Sequence, residues 1–182
     1  LTGAALLRER EHGTIEHLLG MPITTLQIVL AKITANALII LIAFVLSLVF
    51  VIDNILDVPI LGSTSLFIFG TTLYLFSVAS IGIFLGTIAQ SMAQFALLVL
   101  MLIIPMMMLS GGLSPIENQP DMIQPFTWLL PSRHYMAFAQ ALVFRGAGLE
   151  LVWLEMLTIL GLGLMFFSGS LALFRRSLTL NS

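Results

Sequence analysis

The chain has 182 residues, of which 59% are hydrophobic and 9% charged, with a formal net charge of -2 and no cysteine. A mean hydropathy of +1.10 lies far outside soluble usage, where about a quarter of residues are charged, so the composition specifies an integral membrane protein. Seven basic residues make no basic patch for nucleic acid, and the absence of cysteine excludes disulfides, Cys-ligated zinc and thiol catalysis.

The sequence opens at Leu1 without a start methionine and without the basic-then-apolar pattern of a signal peptide. The expectation is a fragment, a single transmembrane domain over 1–182, in which 1–12 is the end of a preceding helix and Leu1 to Leu7 its apolar cytoplasmic part. Arg8 to Glu16, read R-E-R-E-H-G-T-I-E, then holds five of the sixteen formal charges. Gly13 should interrupt the helix carrying Arg8, Glu9, Arg10 and Glu11, and Thr14 can cap a new one with Glu16 in its first turn, where the helix dipole favours a carboxylate. Ile15, Leu18 and Leu19 share one face, and Gly20 and Pro22 close the element. An amphipathic helix over 13–22, lying on the membrane surface, would leave Glu16 and His17 available to a protein below. His12 and His17 stand five apart across a glycine break, a spacing that does not place two imidazoles on one face, so no metal site is expected.

About twenty apolar residues are needed to cross a hydrocarbon core of about 30 Å. Ile33 to Ile52 meets that length without a charge before Asp53, Asn54, Asp57 and Pro59, giving a span near 30–52. Val58 to Ile116 contains no Asp, Glu, Lys or Arg, which is too long for one helix. Thr87, Gln90, Ser91 and Gln94 mark the reversal between spans near 63–86 and 95–111. Gly82 and Gly86 form a G-x-x-x-G that permits close helix approach, a packing role no better supported than chance. Pro105 should kink the third span, with Met106, Met107 and Met108 behind it as adaptable packing or, less favoured, a substrate-contacting surface.

Residues 113–150 read as a re-entrant region. It holds apolar segments around Met122 to Leu130 and Tyr135 to Phe144, separated by Pro131, and segments of that length are re-entrant or interfacial. Ser132 serves as the expected N-cap and Gly146 as the residue that ends the second. A last span near 151–174 is expected to stop at Arg175 and Arg176. Arg8, Arg10, Lys32, Arg175 and Arg176 fall on one side and only Arg133 and Arg145 on the other, so the positive-inside rule places the first set in the cytoplasm, with Trp128 and Trp153 at the outer interface. Glu155 lies about four residues, or ~6 Å, inside the last span, where snorkelling to the outer headgroups is preferred over a substrate or proton site. Arg133 and His134 read equally well as a polar tip in outer water and as translocation residues.

The run R-E-R-E-H-G-T-I-E-H-L-L-G-M-P with I-x-x-A-K after it, four spans, S-G-G-L-S-P and P-S-R-H-Y resembles the C-terminal half of an ABC-2-type transport permease over essentially the whole chain. The resemblance implies an all-α polytopic membrane protein with a short cytoplasmic coupling helix, four transmembrane helices and an outer re-entrant helical hairpin. It further implies that Arg8, Glu9, Arg10, Glu11, Gly13, Thr14, Glu16 and His17 couple to an ATP-binding subunit. Pro131, Arg133, His134 and Glu155 are the translocation candidates. Implied partners are that ATPase, a second permease half in a homo- or heterodimer, membrane lipid and an exported substrate the sequence does not identify. No cofactor and no catalytic residue is expected, since G-x-x-x-x-G-K-[ST] is missing and nucleotide chemistry would come from the partner. The rival readings are a non-transporting membrane scaffold and an intramembrane hydrolase. The latter lacks a G-x-S-x-G, a paired intramembrane Asp or an H-E-x-x-H.

Overall fold

The structure is a computed structural model that describes residues 2–11, 25–53, 60–112, 119, 120 and 122–179. Seven α-helices occur among them: α1 (Thr2–Glu11), α2 (Thr25–Ser47), α3 (Thr64–Ile88), α4 (Met92–Leu109), α5 (Gln124–Thr127), α6 (Pro131–Arg145) and α7 (Leu149–Thr179). A π-helical segment, Leu48–Asp53, prolongs α2. No strand occurs among the described residues, and four helices, α2, α3, α4 and α7, are long and apolar enough to cross a membrane.

The helix ends follow local chemistry. Ser63 caps α3 by accepting from the Leu66 N–H, and Ser91 caps α4 by accepting from the Gln94 N–H at 3.3 Å. Gln94 reaches back to accept from the Gln90 N–H at 2.8 Å, so the orphan amides of this tight reversal are satisfied within the turn. Inside the helices, Thr34, Thr72, Ser80, Thr87 and Thr158 each donate a hydroxyl to the carbonyl four residues earlier. That local bond removes the need for a partner in hydrocarbon.

Small residues let the backbones approach. Gly3 of α1 sits on Gly82 and Gly86 of α3: a Cβ on Gly86 would stand 2.7 Å from the Gly3 carbonyl oxygen, and one on Gly3 would meet the Gly82 oxygen. The G-x-x-x-G is therefore a seat for α1. Gly163 of α7 likewise faces Ser77 of α3, with a Cβ position 3.0 Å from the Ser77 Cα. At Gly70 the missing side chain makes room for the fully buried ring of Phe138 from α6.

Leu7, Ala89 and Phe95 form one apolar cluster and Val29, Ile33 and Ile83 another, with Phe167 packed on the latter. These contacts put the end of α1, the start of α2, the α3–α4 turn and the late part of α7 at one end of the bundle. Phe67, Phe138, Leu142, Val152 and Met156 pack together toward the other.

One helix start differs from the sequence expectation, and one helix outlasts its span. The last crossing stretch is Leu149–Leu173, ahead of Arg175 and Arg176, while the helix that carries it continues to Thr179. A charge ends a hydrocarbon crossing without ending a helix, because arginine is a good helix former once it is in water. Ser132 is not a cap. Leu130 holds that position and Pro131 is the first helical residue, its fixed φ and missing N–H suiting the first turn. Gly146 ends α6 in the left-handed region at φ 62° and donates to the Ala141 carbonyl, as its position before the last helix suggested.

Gly70→Leu should push the Phe138 ring out of its slot and lower stability by about 1–3 kcal/mol, the usual range for overpacking. Gly161→Ala, at a position with open space around the missing Cβ, should leave it unchanged. Thermal unfolding of the purified protein in detergent measures both.

Candidate functional site

α6 runs beside α3 in the opposite sense. Leu142 lies by Gly62, Phe138 by Gly70, and Tyr135 by Thr71 and Tyr74. The start of α6 is thus about ten residues along α3, some 15 Å at about 1.5 Å per residue, folded into the bundle. The short α5 and its flanking turns precede it, so the apolar stretch from Met122 to Leu130 supplies one helical turn and not a full arm of a hairpin.

Four consecutive side chains at this buried start each reach a different element. Ser132 donates its hydroxyl to the Met106 carbonyl of α4 at 3.2 Å. Arg133 turns to the α5 segment: its Nη1 donates to the Gln124 carbonyl at 3.1 Å and to the Thr127 hydroxyl, and its guanidinium lies 4.7 Å above the Trp128 ring. Tyr135 bonds the Thr71 hydroxyl at 3.0 Å and stacks on Tyr74 at 4.2 Å, both on α3. His134 reaches α7: Nδ1 is 2.5 Å from Glu155 Oε2, and Nε2 is 3.0 Å from the Trp128 carbonyl.

Of the translocation candidates, Pro131, Arg133, His134 and Glu155 are therefore brought together around one turn. Two expectations about them change. His134 is only 2% exposed, so it is no tip in outer water, and Glu155 turns inward to the imidazole instead of snorkelling to headgroups. A carboxylate one helix away gives a better-placed partner than solvent does, since it is already ordered. The sequence reading missed Tyr74, Tyr135, Thr71 and Trp128 as parts of the site. The available signal was that the chain's two tyrosines both stand within a few residues of other polar side chains, Tyr74 near Thr71 and Tyr135 after Ser132, Arg133 and His134.

Of the coupling candidates, Arg8, Glu9, Arg10 and Glu11 are the last turn of α1, whereas Gly13, Thr14, Glu16 and His17 lie outside the described residues, as do His12 and the whole segment 13–22. Where α1 begins, a cavity of about 230 Å³ opens between α1, α2, α3 and α4, lined by Gly3, Asn36, Val78, Gly82, Phe95 and Met106 among others. Its walls are almost wholly apolar, and the Asn36 amide is already donated to the Lys32 carbonyl at 3.0 Å. Met106 joins the two places, its carbonyl held by Ser132 and its side chain on the cavity. Met107 and Met108 face outward. No group of three or more potential metal-ligating side chains occurs among the described residues.

Residues 1–144 match the ABC-2 type transporter family. The chain belongs to that family. It is 49% identical over 178 residues to the inner membrane transport permease YhhJ of Escherichia coli, covering 98% of this chain and 48% of that protein. It is 32% identical over 177 residues to the probable multidrug ABC transporter permease YbhR of the same organism, again covering 48% of it. The ABC transporter G family member 20 of Dictyostelium discoideum is 24% identical over 162 residues. The chain thus spans about half the length of the curated bacterial relatives it matches. No solved structure matches it. With four apolar helices of crossing length and these relatives, this ABC-2 permease chain is a multi-pass protein of the inner membrane.

Because Arg133 makes two hydrogen bonds and a ring contact from one guanidinium, Arg133→Ala should lower stability by about 2–3 kcal/mol, and Arg133→Lys by less. Tyr135→Phe removes a single neutral hydrogen bond while keeping the ring stack, and about 1 kcal/mol is expected. Melting temperatures of the three variants in detergent should fall in that order.

Proposed function

We propose that the protein to which this chain belongs is the membrane permease of an ATP-driven ABC-2 exporter, with ATP hydrolysed by a partner subunit and a second permease half completing the path. The family membership over residues 1–144 is the observation that carries the reading. Its physical support is the gathering of the end of α1, the start of α2 and the α3–α4 turn at one end of the bundle, where Arg8, Arg10 and Lys32 are also found. That end is assigned to the cytoplasm by the positive-inside rule. The segment 13–22 between α1 and α2 is then the coupling helix on which the ATPase docks. The region 113–150, with the buried start of α6, is the re-entrant element dipping in from the outer face. The cargo is an apolar or amphipathic compound, in keeping with spans that carry few fixed polar groups.

In the full-length permease, Glu16→Lys should weaken ATPase docking by charge reversal and Gly13→Pro should misdirect the coupling helix. Thr14→Ala, which removes a cap worth about 1 kcal/mol, should be milder than either. Co-purification of the ATPase with each variant and substrate-stimulated ATP hydrolysis measure this. Wild-type docking and stimulation in both of the stronger variants would reduce the charged block to a topological anchor. A reporter fused after Arg176 should read cytoplasmic and one near Asn118 extracytoplasmic; reversal at both positions would invert the orientation.

A further inference from the structure

We propose that His134 and Glu155 form a proton-binding site, and that the bound proton fastens the buried start of α6 to α7. The argument begins with donors and acceptors. Nε2 of His134 is 3.0 Å from the Trp128 carbonyl, and a carbonyl oxygen only accepts, so this nitrogen carries a hydrogen. Nδ1 is 2.5 Å from Glu155 Oε2. A bare ring nitrogen and an ionised carboxylate would present lone pairs to each other at that distance and repel. A proton therefore lies between them. It sits on Nδ1, making an imidazolium beside a carboxylate, or on Oε2, making a carboxylic acid beside a neutral ring.

In both arrangements the pair is neutral with the proton and carries one negative charge without it. Few other charges oppose or replace this one. Arg133 is turned toward Gln124, Thr127 and Trp128, Glu150 is exposed more than one helical turn from Glu155 on α7, and α3 and α4 contain no Asp, Glu, Lys or Arg. Tyr135, the next residue of α6, faces Thr71 and Tyr74. Glu155 keeps 30% of its side chain exposed, so the pair is not sealed inside the bundle. Release leaves a neutral imidazole, an ionised Glu155 and a hydrated proton outside, and breaks the direct bond from His134 to α7. Ser132, Arg133 and Tyr135 still hold α6 to α4, α5 and α3, and Phe138 and Leu142 still pack on Val152 and Met156 of α7, so the loosening is confined to the start of α6 while the bundle stays folded.

The test uses variants of Glu155 in the full-length permease in lipid nanodiscs. In Glu155→Gln the amide can donate to Nδ1 of a neutral ring, which keeps the contact closed with no proton to lose. Glu155→Ala removes the partner. With 15N-labelled histidine and His134 assigned by its loss in His134→Gln, the wild type should show at low pH either a doubly protonated ring or an infrared carboxylic-acid band absent from Glu155→Gln. That signal should disappear as pH rises, and Glu155→Gln should hold a singly protonated ring throughout. Amide deuterium exchange at the start of α6, taken relative to the intrinsic amide rate at each pH, should lose protection with rising pH in the wild type, keep it in Glu155→Gln and lack it at every pH in Glu155→Ala. A neutral ring beside an ionised carboxylate at every pH would overturn the site. Identical exchange profiles in the wild type and Glu155→Gln would overturn the fastening. Neither readout involves transport, so failure here is separable from failure of the exporter reading.

Discussion

Hydrocarbon offers no hydrogen-bond partner, and that constraint governs every polar atom in this bundle. Most are dealt with at home, by hydroxyls bonding back to their own helix. The start of α6 cannot be treated in that way, because Ser132, Arg133, His134 and Tyr135 bring four polar side chains into the interior on one turn. Each is matched to a group on a different neighbour, so α6 is located in three dimensions by polar bonds that hydrocarbon cannot replace. Apolar contact through Phe138 and Leu142 adds burial, but its direction is set by the polar turn.

The two regimes of packing divide the molecule. α1, α3 and α7 meet through glycine and serine, where van der Waals contact between backbones drives association as it does in membrane helices generally. α6 is short, carries an arginine near each end and depends on specific bonds. The first arrangement favours a fixed scaffold, the second an element with a few discrete ways of being attached. The apolar cavity lies between the scaffold helices, and Met106 is where it touches the polar turn.

Much of this was legible in the sequence. Runs of apolar residues without charge announced the long helices, and Ser91 with Gln94 marked the reversal, because both signals are local and depend on length or on a cap. Gly146 was legible for the same reason: a left-handed residue after a helix favours glycine. What could not be read was pairing. The sequence places Glu155 near the end of a span, where an isolated helix would let it reach water, and nothing in its neighbours says that a buried imidazole from twenty-one residues earlier stands beside it. Gly82 and Gly86 were likewise ambiguous until Gly3 was found against them. The continuation of α7 past its crossing was not legible, because the arginine pair marks the edge of the hydrocarbon, which is a property of the surroundings and not of the helix.

The seating of Gly3 on Gly82 and Gly86 also has a mechanical meaning. Contacts made by long side chains yield, since rotamers can change and absorb a displacement of an ångström or more. A contact between backbones has no such slack. The charged turn from Arg8 to Glu11 begins only five residues beyond Gly3 on the same helix and directly after the buried Leu7, so this stretch of α1 is held close against α3 and the α3–α4 turn. Sideways load on its charged turn would tilt α3 itself and, through Gly70 and Tyr74, reach the ring of Phe138 and the stacked tyrosine of α6 with little loss to compliance along the way.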